Sequence, residues 1–316
     1  MHPNSVTTIK HRDAAMTQVR AAAEFDFDDL HRQVQALRDR PIFFVAGAAK
    51  SGTTWVQLLL DGHPEISCRG EGHLTDSLAV MLTDVVQRQN QKLDQVDAVL
   101  REANASFPRF TNAHLYYLFT VAASILLADS ASYSGKLVVG EKTPDNVMNL
   151  RLLKTVFPQA RFLHVVRDVR DCIVSAWFHN LRLNREEALS IGATLDEFAM
   201  LVVEVWRKTI EAKLAFSHQH PNAIMTVRYE DLIAEPRLAL RRSLDFLDVN
   251  ASKSAIDFCL AGADFHALSG RKNGEENQTS FFRKGVVGDW RNHLSRRSHI
   301  EILRRCGDLM RQFGYH

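Results

Sequence analysis

The residues best placed to do chemistry begin with the run Gly47-Ala48-Ala49-Lys50-Ser51-Gly52-Thr53-Thr54-Trp55. Its two glycines let the backbone wrap closely around a ligand, Lys50 supplies a mobile cation, and Thr53 and Thr54 offer hydroxyls. The apolar run Ile42–Ala46 precedes it and the helical pattern Thr53–Leu60 follows. A strand, a glycine turn and a helix N-terminus make a site for an anion, because amide N–H groups converge there and the helix dipole favours negative charge. In the phosphate loop G-x-x-x-x-G-K-[ST] of nucleoside triphosphatases the lysine follows the second glycine. Gly47 and Gly52 keep that spacing, but Thr53 stands in the lysine position and the cation precedes Gly52. Further on, His164-Val165-Val166 runs into Arg167, a cation where a magnesium ligand would sit. A magnesium-dependent triphosphatase or kinase is disfavoured on both counts.

Such a loop needs a frame to hold it. Asp28–Arg40 opens with acids, ends in basic residues and lines up Leu30, Val34 and Leu37, which predicts a short amphipathic helix stopped by Pro41. Ile42–Ala46, Ala160–Val166 and Ala223–Val227 are apolar runs of the buried-strand type, with Leu137–Val139 a shorter one. Between them lie helical patterns at Thr53–Leu60, Leu74–Arg88, His114–Leu127, Val147–Phe157, Asp171–Leu183, Leu195–Phe216 and Ser295–Phe313. The alternation predicts a three-layer α/β fold, a central parallel sheet flanked by helices with the phosphate loop at its edge. No repeat or linker divides the chain, so residues 1–316 read as a single domain. Residues 1–25 read as a loosely docked arm, and 74–129 as a helical cap inserted over the sheet edge. Leu201, Val202, Val203, Val205 and Trp206 read as a core stripe, and Gly270–Thr279 as the most loop-like stretch.

The chain has 316 residues, 46% apolar and 24% charged, ample for a sizeable core without metal or disulfide staples. Disorder, collagen and coiled coil are excluded by its ordinary apolar share and its 15 glycines and 8 prolines. A formal charge of +2 argues against a nucleic-acid binder, although local basic clusters can still hold one small anion. Cys68, Cys172, Cys259 and Cys306 lie far apart with no zinc spacing, so no metal site is expected and reduced thiols in a cytoplasm are the simpler reading. Residues 1–24 show no apolar signal segment. The longest uncharged run, Ala113–Ala128, is 16 residues, short of the roughly 20 needed to cross a bilayer, and reads as a buried helix.

Lys50-Ser51-Gly52-Thr53-Thr54-Trp55 resembles the 5′-phosphosulfate loop of sulfotransferases that use 3′-phosphoadenosine 5′-phosphosulfate (PAPS). Two further segments resemble the same family in the same order. Arg167-Asp168-Val169-Arg170-Asp171-Cys172-Ile173-Val174-Ser175 carries an Arg and a Ser eight apart, which in the family bind the 3′-phosphate. Phe281-Phe282-Arg283-Lys284-Gly285-Val286-Val287-Gly288-Asp289-Trp290 resembles its closing R-K-G and G-x-x-G-D-W signature. The resemblance spans Ile42 to Leu294, about four-fifths of the chain. It implies PAPS as donor and PAP as product, held at two anion sites. Lys50 and the amides of Ser51, Gly52, Thr53 and Thr54 suit the phosphosulfate; Arg167, Ser175, Arg283, Lys284 and the Gly285 amide suit the 3′-phosphate. Trp55 resembles the family's adenine-stacking tryptophan, Phe265 falls near a second aromatic, and Phe281 and Phe282 lead into the closing signature.

Sulfuryl transfer also needs a base for the acceptor hydroxyl and cations for the leaving phosphate. Cytosolic sulfotransferases carry K-T-H after the cap, but Glu141-Lys142-Thr143-Pro144 puts proline in place of the histidine. The tyrosylprotein branch has H-P-E followed shortly by G-E, and His63-Pro64-Glu65 followed by Gly70-Glu71-Gly72-His73 resembles it. The resemblance implies Glu71 as base, Lys50 stabilising the leaving phosphate and Lys142 the transferring sulfonate. His73, a histidine that needs little tuning to accept a proton near pH 7, is the second choice of base. Glu141 reads as an ion-pair partner of Lys142, Arg228-Tyr229-Glu230-Asp231 as a structural turn, and His179-Asn180 as facing solvent. The acceptor is expected to be a hydroxyl of a small molecule, glycolipid or saccharide, and a homodimer stays open. Two rivals remain: a P-loop kinase or nucleotide hydrolase, and a non-catalytic PAP-binding protein.

Overall fold

The computed structural model describes residues 26–99, 106–132, 136–272 and 274–316. The expected arm, 1–25, and residues 100–105 of the expected cap lie outside the described residues. Five strands, β1 (Ile42–Gly47), β2 (Ile66–Gly70), β3 (Val138–Lys142), β4 (Arg161–Val166) and β5 (Ile224–Arg228), form one sheet in the order β2-β3-β1-β4-β5. Every neighbouring pair is parallel, as the strand–helix alternation predicts. All of β1 and β3 is buried, which explains why β1 reads as a continuous apolar run. β2 escapes the sequence reading because it is a short edge strand, Ile-Ser-Cys-Arg-Gly, whose last two residues are exposed.

Alternation along β1 feeds two cores. Phe44 and Ala46 face Leu37 of α1 (Phe27–Arg38), Phe119 and Ala123 of α4 (Asn112–Ser132), and Leu150 and Leu153 of α5 (Leu150–Val156). Phe43 and Val45 face Leu59 and Leu60 of α2 (Thr53–Asp61), Leu240 and Leu244 of α10 (Pro236–Leu247), and Ile256 of α11 (Lys253–Gly262). A third cluster joins Ile173 of α6 (Val169–Leu183), Trp206 of α8 (Leu195–Gln219) and Ile302 of α13 (Arg296–Gln312). Burial of each such large apolar side chain stabilises the fold by about 1.5–3 kcal/mol. The described helices also include α3 (Ala79–Val99), α7 (Arg185–Ile191), α9 (Tyr229–Ala234) and α12 (Phe265–Ser269).

Several local expectations change. The pattern at Leu74–Arg88 is a π turn, Leu74–Leu78, leading into the longer α3. Val147–Phe157 divides into a 3-10 turn opened by Pro144 (Pro144–Asn149) and α5. The Ala113–Ala128 run is only half buried: Phe119, Ala123 and Leu127 pack inward while Tyr117 and Leu126 stay exposed. In α8 Val203 and Trp206 are core, but Leu201 and Val205 lie on the outer face, since a helix can turn only about 100° of its circumference to one neighbour. No described helix is long and apolar enough to cross a membrane.

The sheet aligns its chemistry at one edge. Gly47 lies opposite Val165, Gly70 opposite Lys142, and Val166 opposite Arg228. The carboxyl ends of the strands therefore deliver the Gly47 loop, Glu71, Lys142, Arg167 and Tyr229 side by side. Because β3 and β4 flank β1 on opposite sides, this edge is the crevice where open parallel sheets hold ligands.

Candidate active site

The loop after β1 is shaped by backbone sterics. Gly47 has φ +153°, and a Cβ there would strike the Val165 carbonyl oxygen. Gly52, the N-cap of α2, has φ +100°, and a Cβ would fall 2.5 Å from the Tyr229 ring. Lys50 itself is left-handed, at φ +66°. Ser51 is fully buried and, among the described residues, its Oγ has no hydrogen-bond partner, a polar atom that a bound phosphate oxygen would satisfy. Lys50 Nζ sits 4.7 Å from the Phe281 ring centre. Burial, then the nearby charges of Arg182 and Arg167, push its pKa down to about 8.

Arg167 joins this loop to the closing segment. It donates to the Val286 carbonyl at 3.0 Å and the Lys50 carbonyl at 3.4 Å, and its guanidinium lies 4.3 Å from the Tyr229 ring centre. Its Nε is buried without a partner among the described residues. The turn read as structural, Tyr229-Glu230, thus underlies both Gly52 and Arg167, and Glu230 accepts the Asp168 amide at 3.0 Å. Ser175 lies half-buried on α6, two turns beyond its start.

Arg283 and Lys284 are not loose cations. Both bind the buried Asp289 carboxylate, Arg283 also binds Glu276 at 2.7 Å, and its guanidinium lies over the Phe178 ring. Burial alone would raise the Asp289 carboxyl, but hydrogen bonds from Lys284, Arg283 and Asn292 hold it far below the usual carboxylate range. The G-D-W signature is docked on α6, where Asp171 accepts the amides of Gly288 at 2.7 Å and Trp290 at 3.0 Å. Phe282 precedes this pair and Gly285 follows it with φ +68°.

One organising residue escapes motif reading. Arg271 donates to the carbonyls of Glu275, Arg283 and Phe282, and lies 5.6 Å from the Phe265 ring centre. It pins the closing segment to α12 from within the stretch read as loop. Trp55 donates to the Ala263 carbonyl at 2.8 Å, which brings the two aromatic candidates, Trp55 and Phe265, to one side. Trp55 also packs edge-on against Tyr229.

Across the edge, Glu71 is ion-paired with the buried Lys142 and lies 3.5 Å from His73 Nε2, whose Nδ1 meets Asp76 at 2.8 Å. The hydrogen bond to Asp76 raises the His73 pKa above the usual imidazole range. Glu141 does not pair with Lys142. Successive strand residues point to opposite faces, and Glu141 accepts instead from the Gly72 amide, Thr143 and Asn146. His179, expected in solvent, is half-buried: its ring meets Phe281 edge-on at 5.9 Å, and Arg182 donates to its Nδ1 at 3.2 Å. Sequence periodicity held one clue, since Ser175, His179 and Arg182 share a helical face.

A parallel sheet with a glycine-rich anion loop and facing basic residues is the architecture of a protein that binds a phosphorylated ligand. The family model described as "Sulfotransferase family" matches residues 41–253, and the chain belongs to that family. It is a sulfuryl transferase, with PAPS as donor and PAP as product. It is 25% identical over 277 residues to cytosolic sulfotransferase 8 of Arabidopsis thaliana, covering 79% of this chain and 71% of that protein. It is 24% identical over 217 residues to protein-tyrosine sulfotransferase 1 of Danio rerio, covering 67% of this chain and 54% of that protein. Among solved structures, mouse sulfotransferase SULT7A1 complexed with PAP superposes with a TM-score of 0.52 at 17% identity, over 88% of each chain. That likeness establishes the shared fold.

Proposed function

We propose that this enzyme transfers the sulfuryl group of PAPS to a hydroxyl of a small molecule, glycolipid or saccharide, with Glu71 as general base. The observation that carries this reading is the corner at the sheet edge, where the partly exposed Glu71 carboxylate sits between Lys142 and His73 while still acting on the charge of Lys50. The unpartnered Ser51 Oγ, the unpartnered Arg167 Nε and the glycine-lined loop fit the phosphates of the donor. PAPS, when bound, supplies an electrophilic sulfur with a phosphate leaving group.

The chain's own residues divide the remaining work. Loop amides and Lys50 offset charge growing on the leaving phosphate. Glu71 accepts the acceptor's hydroxyl proton at its carboxylate, and Lys142, released as that carboxylate is neutralised, turns its charge to the transferring group. His73, whose pKa the hydrogen bond to Asp76 raises, lies beside Glu71 and orients it. Arg167, Ser175, Arg283, Lys284 and the Gly285 amide form the 3′-phosphate site. There Arg283 and Lys284 stay tethered to Asp289 and need little reorganisation, and Trp55 and Phe265 flank the adenine. Phe281 and Phe282 close the loop over Lys50. The proposal includes one sulfotransferase domain over 1–316, with α3 and α4 as acceptor-facing cap, and a cytoplasmic location in which the four buried thiols stay reduced.

Thermal stabilisation tests it. At a hundredfold excess over Kd, PAP is expected to add about 2.7 kcal/mol of stability, a rise of about 5 °C in Tm, with ATP giving less than about 1 °C. Equal shifts from PAP and ATP would return the nucleotide-hydrolase reading. Turnover confined to a peptide tyrosine would overturn the acceptor class.

A further inference from the structure

Resting on the PAPS-dependent reading, we propose that Arg182 and His179 form a site for an anionic group on the acceptor. The enzyme would then select hydroxyl compounds that also bear a carboxylate or sulfate.

Most cations in the crevice already hold an acid. Arg170 is paired with Asp168, Arg283 with Glu276 and Asp289, Lys284 with Asp289, and Lys142 with Glu71. Lys50 belongs to the phosphosulfate loop after β1, and Arg167, after β4, to the 3′-phosphate site. Arg182 differs: among the described residues it forms no ion pair with a carboxylate, and its Nε is buried with no hydrogen-bond partner. A buried guanidinium nitrogen with no acceptor, on a half-buried arginine with no carboxylate beside it, is a donor that an anion from outside can satisfy.

His179 completes the geometry. Arginine can only donate, so the 3.2 Å contact makes His179 Nδ1 the acceptor. Burial, then the charges of Lys50 and Arg182, lower its pKa to about 4, so the ring is neutral near pH 7 and its one proton sits on Nε2. That nitrogen is a donor and not a base. The pair thus presents only donors, on the α6 face that carries Ser175, against the same Phe281 ring that Lys50 covers. Lys50 and His179 meet the same Phe281 ring, and the Lys50 charge acts on His179 as the Arg182 charge acts on Lys50, which places the anion site beside the reacting lysine.

The test is calorimetric binding to PAP-saturated protein of matched probes: 4-hydroxybenzoate against 4-methylphenol, 4-hydroxyphenyl sulfate against the same neutral phenol, and methyl β-glucuronide against methyl β-glucoside. At least one charged member is expected to bind tenfold or more tightly than its neutral partner, the worth of one charge-assisted hydrogen bond. Arg182→Gln is expected to shrink that preference to threefold or less with PAP affinity unchanged, and Arg182→Lys to keep it. No preference in the wild-type protein on any scaffold, or a preference that survives Arg182→Gln, would overturn the proposal. A tenfold loss of PAP affinity in Arg182→Gln would also overturn it, by assigning Arg182 to the donor. Failure of the wild-type protein to bind PAP at all is a separate result, which overturns the donor reading and removes this proposal with it.

Discussion

Glu71 and Lys50 carry the sharpest expectations at the scale of single residues. Glu71→Gln keeps the shape and the contact with Lys142 but cannot take a proton, so kcat should fall by about 10²–10⁴ with PAP affinity within twofold. His73→Asn should cost far less, since His73 is engaged with Asp76 and only positions Glu71. A larger loss at His73 than at Glu71 in steady-state turnover would reverse the ranking. Lys50 predicts a pH effect. Its pKa in the free protein is about 8, so it is a cation below that pH and loses its proton above it. PAP affinity should therefore weaken as pH rises through about 8, and Lys50→Arg should flatten that slope, measured by titration calorimetry between pH 7 and 9. These residues were visible as types before any fold was known. The partner of each was not: Lys142 pairs with Glu71 across the β2–β3 edge and not with its chain neighbour Glu141.

At the scale of elements, the site is built by junctions. The β1–α2 turn depends on Gly52, whose φ of +100° and contact with Tyr229 leave no room for a side chain. Gly52→Ala should cost about 1–2 kcal/mol from backbone strain alone, lower the Tm by several degrees and weaken PAP binding, because the α2 amides shift with the turn. An alanine variant with wild-type melting and PAP affinity would show that the turn is not under this constraint. The closing segment is a junction of another kind, held by Asp171 of α6 and by Arg271, and neither attachment is local in sequence. β2 was missed for a related reason. An edge strand with one apolar stretch has no periodicity of its own, yet it delivers Glu71 to the crevice.

At the scale of the whole molecule, the C-terminal region is tied to the catalytic edge. Tyr315, beyond α13, donates to Glu230 Oε2 at 2.6 Å, while Glu230 Oε1 accepts the Asp168 amide beside Arg167. Tyr315→Phe removes one donor from a half-buried carboxylate and should lower stability by about 1–2 kcal/mol, a Tm drop of about 2–4 °C, with PAP affinity changing less than threefold. An unchanged Tm would mean that water replaces the phenol at no cost. Three cores, one on each face of the sheet and one among α6, α8 and α13, hold this arrangement.

Sequence alone determined the parallel α/β fold, the anion loop after β1 and the family. Each is written in contiguous residues, as apolar runs, glycine spacing or ordered motifs. Only the tertiary structure decided which charges are matched. It tied Arg283 and Lys284 to Asp289, turned Glu141 away from Lys142, and left Arg182, among the described residues, without a carboxylate beside His179. The reason is physical: a backbone pattern repeats along the chain, whereas the partner of a charge is set by which distant strands and helices meet.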